Sequence, residues 1–184
     1  MLCNEVDIMI NYSIIIPHFR IPEMLRRAVL SVPEREDVEI IVVDDASGDS
    51  YKPEIENACM PRSRQVRIVY LSENGGGGKA RNEGLKIANG KWVVFLDADD
   101  MFNYCISEAM DEYKDSDEDI VFFRANSIDN ETYMPLNRAD ATNSCVEKAL
   151  KNELGAEYGL RYYHDVPWAK FFSYRMLKEH DIWF

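Results

Sequence analysis

The chain has 184 residues, 46% of them hydrophobic, and a formal net charge of −12, with a sequence pI near 4.7. That length supports one globular domain with a real core and is short for two. The acidic balance excludes nucleic acid and an anionic membrane surface as default partners, since both select a basic footprint, and it leaves any anionic substrate in need of a local cation.

Strand-length apolar runs lie at residues 13–16, 39–43, 66–71, 92–96 and 120–123, separated by helix-like or loop sequence. This alternation predicts an α/β fold, a Rossmann-like α/β/α sandwich with a mainly parallel central sheet. Runs apolar at every position, such as Ile40-Ile41-Val42-Val43, suit strands covered on both faces. After the first strand, Leu25, Ala28, Val29 and Val32 keep helical spacing, and Pro22 stands where that helix begins. A second helix is predicted over 78–88, stopping at Asn89-Gly90.

Beyond the fourth strand, a helix is expected over 107–113 and an acidic turn over 115–119. Residues 126–143 are polar and irregular, with Asp129-Asn130 as a hairpin turn, and the boundary between two halves is placed there: about 12–125 and about 126–184. A helix over 144–154 follows, with Ser144 as N-cap, Glu147 as its box partner and Gly155 after its end. The aromatic stretch 158–168 reads as irregular, and a short helix is expected over 174–180.

Three polar groups fall at carboxyl ends of strands, where open parallel sheets bind ligands: Pro17-His18-Phe19-Arg20, Asp44-Asp45-Ala46-Ser47 and Asp97-Ala98-Asp99-Asp100. Asp97 and Asp99 lie two apart and can converge on one side. Such a pair of hard oxygen ligands suits Mg²⁺ or Mn²⁺ bridging a diphosphate. Asp44-Asp45 alone reads equally well as an acidic turn. The glycine run 75–78 fits neither common phosphate loop. Gly78-Lys79 is followed by Ala80 instead of Ser or Thr, and the run follows the third strand instead of the first. What remains is a helix start with Gly76 for close backbone approach and Lys79 or Arg81 within reach of phosphate oxygens.

Cys3, Cys59, Cys105 and Cys145 show no Cys-x-x-Cys spacing and the three histidines add no ligand pattern, so no zinc site or disulfide framework is expected. Glu5 and Asp7 stand where a secretory signal would be basic. No run approaches the ~20 apolar residues of a membrane span. The expectation is a cytoplasmic protein, compatible with peripheral contact at the inner face of a membrane.

Taken in order, these segments resemble a family 2 glycosyltransferase of the GT-A fold. Ser13-Ile14-Ile15-Ile16-Pro17 is similar to the family's opening strand, Val43-Asp44-Asp45-Ala46-Ser47-Gly48-Asp49 to its VDDGSxD segment, and Ala80-Arg81-Asn82-x-Gly84-Leu85 to its ARNxGL helix. Phe95-Leu96-Asp97-Ala98-Asp99-Asp100 resembles its DxD, and Pro167-Trp168-x-Lys170 with Ile182-Trp183-Phe184 resembles a later W-x-K and apolar-x-Phe pattern.

The resemblance implies an inverting transferase that moves a hexose-type sugar from a nucleotide diphosphate donor, expected to be uridine-linked, to a saccharide or lipid-linked acceptor. Pro17, Phe19, Asp44 and Asp45 would line the base and ribose pocket. Gly76, Lys79 and Arg81 would lie beside the nucleotide, Asp97 would contact ribose or metal, and Asp99 would bind Mn²⁺ or Mg²⁺. Arg20 stands where the family often has Asn. Inverting members place an acidic base after the apolar-x-Phe segment, so the resemblance implies truncation at Phe184 and leaves Asp165 as the internal candidate for that base. His18 reads as pocket rim or structure, and His164 as a loop residue or a catalytic one. Tyr158, Tyr162, Tyr163 and Trp168 read as a sugar-stacking group or as core. Two rival readings are a non-catalytic nucleotide-sugar binding module and a nucleotidyltransferase.

Overall fold

The computed structural model describes residues 9–184, so the expectations for Cys3, Glu5 and Asp7 lie outside the described residues. In chain order the elements are β1 (Tyr12–His18), α1 (Pro22–Ser31), β2 (Val38–Asp44), α2 (Lys52–Cys59), β3 (Val66–Tyr70), α3 (Gly76–Lys86), β4 (Trp92–Phe95), α4 (Ile106–Tyr113), β5 (Ile120–Phe122), β6 (Ser127–Ile128), β7 (Pro135–Leu136), α5 (Asp140–Leu150), α6 (Ala156–Tyr162), β8 (Lys170–Ser173) and α7 (Tyr174–Glu179). They form two compact units. One holds the residues up to Asp119 together with Phe172–Phe184, and the other is Ile120–Phe171. The structural division thus falls at 119/120 and again at 171/172, whereas the sequence suggests a single break near 126.

In the first unit β1 is the central strand, in the order β3-β2-β1-β4-β8. It runs parallel to β2 and β4, with Ile14 opposite both Ile40 and Val94. Its isoleucines are fully buried, as expected of a strand covered on both faces. Ser13 is a buried polar residue of β1 and is satisfied: its hydroxyl donates to Glu39 at 2.6 Å and accepts from the Gly90 amide at 2.8 Å. That bond fixes the turn at which α3 gives way to β4. The last strand, β8, pairs antiparallel to β4 through Phe172 opposite Val93.

Helix α3 packs on the sheet through Ala80, Gly84 and Leu85. Gly84 is a close-contact glycine, because a Cβ there would stand 2.5 Å from Ile15 Cγ2 and 3.3 Å from Val43 Cγ2. After α7 the chain reverses through Asp181, which takes a left-handed φ of 49°. The Ile182 amide donates to Leu177 O at 2.9 Å and the Asp181 amide to Lys178 O at 3.3 Å, which closes the helix end. The reversal delivers Phe184 back to α3. Asn82 clasps the Phe184 backbone with both ends of its amide, accepting from the N–H and donating to the carbonyl, each at 2.8 Å. The Phe184 ring meets Phe95 and Phe172 edge-on, at 4.5 and 5.3 Å between centroids. Gly78, one turn before Asn82, admits this approach, since a Cβ there would lie 2.9 Å from the Phe184 carbonyl oxygen.

In the second unit β6 and β7 form a hairpin whose turn is organised by Asp129, which accepts from the Glu131 and Thr132 amides and the Thr132 hydroxyl. The helix expected over 144–154 is α5, four residues earlier: Ser144 is interior and the N-cap is Ala139. Its inward residues Thr142, Cys145 and Val146 set that range, and tertiary burial outweighs a cap signal. Its end is closed by Asn152 in the left-handed region, with Glu153 N–H bonded to Lys148 O at 3.0 Å. Gly155 instead precedes α6, which runs into the stretch 158–168 expected to be irregular. Among the described residues no helix is long and apolar enough to cross a membrane.

Replacing Gly84 by Ala is expected to lower stability by about 1–2 kcal/mol. Overpacking against a buried strand costs about 1–3 kcal/mol and outweighs a helix-propensity gain of about 1. A fall in the urea midpoint with an unchanged m-value would show it.

Candidate nucleotide-diphosphate site

The site residues of the first unit sit at strand ends, on the turns just beyond them and on the first turns of α3, and identifiable interactions hold each in place. Asp44, at the end of β2, is buried and saturated. It accepts from His18 Nδ1 at 2.8 Å, from the Ser47 amide at 3.0 Å and from the Ser47 hydroxyl. His18 accepts at Nε2 from the Ile21 amide at 3.1 Å, which places its proton on Nδ1. Ser47 Oγ in turn accepts from the Arg20 amide at 2.9 Å. His18 is therefore a structural bridge between the turns after β1 and β2, while Phe19 beside it is exposed.

Asp45 faces the other way. Its carboxylate accepts from the Gly75 and Gly76 amides at 2.8 and 2.7 Å, and its carbonyl accepts from Asn74. A negative charge at the start of α3 is favourable for the helix dipole. The helix begins at Gly76 instead of Gly78, so the glycine run is the first turn of α3 and not a free loop. Lys79 is ion-paired with Glu73 at 2.8 Å, and Arg81 is ion-paired with Asp97 at 2.6 Å.

The acidic turn after β4 is anchored from α1, where Arg27 donates to the Asp99 carbonyl. Ala98 is buried, which leaves the Asp99 carboxylate exposed on the surface of the turn. Asp100 is pushed up to about 6 by loss of hydration and by the charges of Asp99 and Asp97, with Arg27 opposing. The turn therefore gathers three carboxylates against Arg81 and Arg27, and a further cation would ease the repulsion felt at Asp100. Among the described residues no group of three or more His, Cys, Asp or Glu side chains is gathered to hold a metal. The donor set fits an ion that arrives with its own phosphate ligands, since Mg²⁺ commonly takes only one or two carboxylates from the protein.

A cavity of about 410 Å³ opens between the ends of β2 and β3, lined by Asp44, Ala46, Gly48, Asp49, Lys52 and Tyr70, with Leu71 and Ser72. Burial pushes the Tyr70 hydroxyl up to about 12, so it stays a neutral donor and acceptor. Lys52 and Tyr70 are not singled out by the sequence, because neither belongs to a strand-end motif. The only advance signal was the position of Tyr70 at the end of an apolar run.

Asp165 is an exposed residue of the second unit. The turn that carries it is held by buried Lys170, whose Nζ donates to the His164 and Val166 carbonyls. His164 is buried edge-on against Phe122, 5.3 Å between centroids, and both burial and the Lys170 charge hold it below its usual pKa. That environment supports a structural role. Tyr158, Tyr162 and Tyr163 lie at the surface and are not core.

The fold and these strand-end turns define an α/β protein of the nucleotide-diphospho-sugar, GT-A class. Residues 13–179 match the profile of Glycosyl transferase family 2. The chain belongs to that family. It is 32% identical over 184 residues to the poly(ribitol-phosphate) beta-glucosyltransferase of Bacillus spizizenii, across 94% of this chain and 26% of that protein. It is 26% identical to glycosyltransferase GlyG of Streptococcus pneumoniae, across 77% of this chain and 48% of the relative. Among solved structures it is similar to S. aureus TarS 1–349 in complex with UDP, at 26% identity and a TM-score of 0.69, covering 95% of this chain and 50% of TarS 1–349. Similarity to the Pyrobaculum calidifontis mannosyltransferase PcManGT, in complex with GDP-Man and Mn²⁺, is a likeness of fold alone, at 21% identity and a TM-score of 0.54. The chain thus spans about half the length of GlyG and of TarS 1–349.

Two departures from the family pattern carry a backbone cost. Ala46 replaces the Gly of VDDGS and Arg20 the common Asn, and both take a left-handed φ, 59° and 56°. Gly and Asn occupy that region at low cost, whereas Ala pays about 1–2 kcal/mol. Ala46→Gly is therefore expected to raise stability by about 0.5–1 kcal/mol in a urea melt. The amine of Lys170 is pushed down to about 8 by burial. Between pH 8 and 10 the unfolded chain holds a proton there that the folded chain has released, so stability rises with pH, by at most about 1.4 kcal/mol per unit. Lys170→Met should remove that rise, as read from urea midpoints across the range.

Proposed function

We propose that this domain binds a uridine diphosphate sugar at the carboxyl ends of β1, β2 and β4 and transfers its hexose-type sugar, with inversion, to a saccharide or lipid-linked acceptor. The observation that carries the reading is the Arg81–Asp97 ion pair at the end of β4, with the exposed Asp99 two residues further on. The similarity to TarS in complex with UDP supports the uridine donor.

In this reading Pro17, Phe19 and the turn held by Asp44 and Asp45 border the base and ribose. On the β3 side of that turn, the cavity lined by Asp44, Ala46, Lys52 and Tyr70 has the size of a small-ligand pocket, about 300–1,000 Å³. Asp44 and Asp45 act mainly by fixing backbone, because their carboxylates are already engaged. Asp97 and Asp99 would hold Mn²⁺ or Mg²⁺, which supplies Lewis-acid stabilisation of the departing diphosphate. Arg81 is placed to exchange its partner, leaving Asp97 for a phosphate oxygen, and Lys79 adds a second cation at the start of α3. At the anomeric carbon the acceptor oxygen forms the new bond as the bond to the diphosphate oxygen breaks. The hydroxyl proton passes to a carboxylate, the role that inverting relatives give to an acidic residue after the apolar-x-Phe segment.

Calorimetric titration with UDP and with GDP, each with and without Mn²⁺, tests the donor half of this reading. UDP should bind more tightly than GDP, with at least tenfold gain on adding Mn²⁺, and Asp99→Ala should abolish that gain while leaving metal-free binding. Binding that ignores both Mn²⁺ and the substitution would sink the assignment.

A further inference from the structure

The stretch that carries Asp97, Asp99 and Asp100 contains no helix or strand, since β4 ends at Phe95 and α4 begins at Ile106. Within the acidic turn the Asp100 amide donates to Asp97 O at 2.9 Å. Its backbone is then tied to α1 at two points. Arg27 donates to the Asp99 carbonyl, and Ser31 Oγ accepts from the Phe102 amide at 3.0 Å while donating to Ala28 O at 2.7 Å. Arg27 and Ser31 are four residues apart and so share one face of the helix. That helix is seated in the core, with Leu25, Ala28 and Val29 fully buried.

Three carboxylates within four residues repel one another, and a loop without outside anchors would relieve the repulsion by spreading them. A carboxylate binds a cation best when its place is held before the ion arrives, because the ordering cost has then been met in folding. Arg27 contributes to this in two ways. Its hydrogen bond fixes the peptide between Asp99 and Asp100, and its charge acts on Asp100 against those of Asp99 and Asp97. The two effects have opposite consequences for a divalent ion. Removing a nearby positive charge tightens metal binding by Coulomb's law, whereas removing a backbone anchor weakens it.

We infer that Arg27 is a positioning residue of the donor site: with Ser31 it clamps the backbone of the acidic turn, so that Asp99 is held ready for the divalent cation of the donor complex. The inference rests on the donor reading proposed above.

The test measures UDP affinity by calorimetry with and without Mn²⁺, and free Mn²⁺ by electron paramagnetic resonance in the same mixtures, for the 184-residue chain and three variants. In Arg27→Gln the Mn²⁺-dependent gain in UDP affinity should fall about fivefold or more below the parent's, against the Coulombic direction, with the thermal melt and metal-free UDP affinity kept. Arg27→Lys keeps the charge and a donor, and should bring the gain back to within about threefold of the parent. Ser31→Ala changes no charge and should lower the gain about threefold; it decides the matter if Arg27→Gln does not fold. A gain in Arg27→Gln equal to the parent's would overturn the inference by leaving Arg27 a role in folding alone. A larger gain would overturn it by making Arg27 only a competing charge. An unchanged gain in Ser31→Ala, where Arg27→Gln is unfolded, would do the same. A parent chain with no Mn²⁺-dependent gain would overturn the donor reading and this inference with it, whereas a parent gain kept by all three variants would overturn this inference alone.

Discussion

The buried carboxylate of Asp44 is the constraint on which the donor side of this domain depends. A lone carboxylate this deep would cost several kcal/mol, and it is tolerated because three donors converge on it. Two of them come from its own turn and the third from the end of the neighbouring strand. The result is a rigid corner in which the turn after β1 cannot move independently of the turn after β2. Asp45 then extends the same corner to the start of α3 through two glycine amides. A two-residue acidic sequence thus ties together three segments that are distant in the chain.

The reach of sequence reasoning can be seen in these same residues. The parallel strands were legible because a strand buried on both faces leaves an uninterrupted apolar run, as at Ile14-Ile15-Ile16 and Ile40-Ile41-Val42-Val43. The strand-end positions of Asp44, Asp45, Asp97 and Asp99 followed from the runs. Their partners did not, since which of two adjacent aspartates turns inward depends on backbone directions that no local spacing encodes. The left-handed Ala46 is what turns the chain so that Ser47 returns to Asp44, and Ala is not a residue that announces such a conformation.

Other misses have separate causes. The strand β8 was invisible as a strand because only four residues, Lys170–Ser173, form it, and its pairing partner lies far back at β4. Helix α6 was hidden by its tyrosines, whose aromatic density reads as core or loop when in fact they lie on the outward face of a helix. The start of α5 was displaced because Ser144 and Glu147 carry a good capping pattern that burial of Thr142 overrides.

The Asn82 clasp on Phe184 gives the first unit a consequence for its biosynthesis. That unit is discontinuous: its sheet, its α3 packing and the aromatic contacts of Phe95 all draw on residues 172–184, while the second unit is an uninterrupted stretch between them. Contacts spanning about a hundred residues close late, because loop entropy must be overcome before they contribute. On the ribosome the second unit can complete itself while the first is still waiting with one flank of β4 and part of the α3 surface uncovered. The apolar surface most exposed to aggregation during synthesis is therefore that of the donor-site unit, and it stays uncovered until Phe184 has emerged.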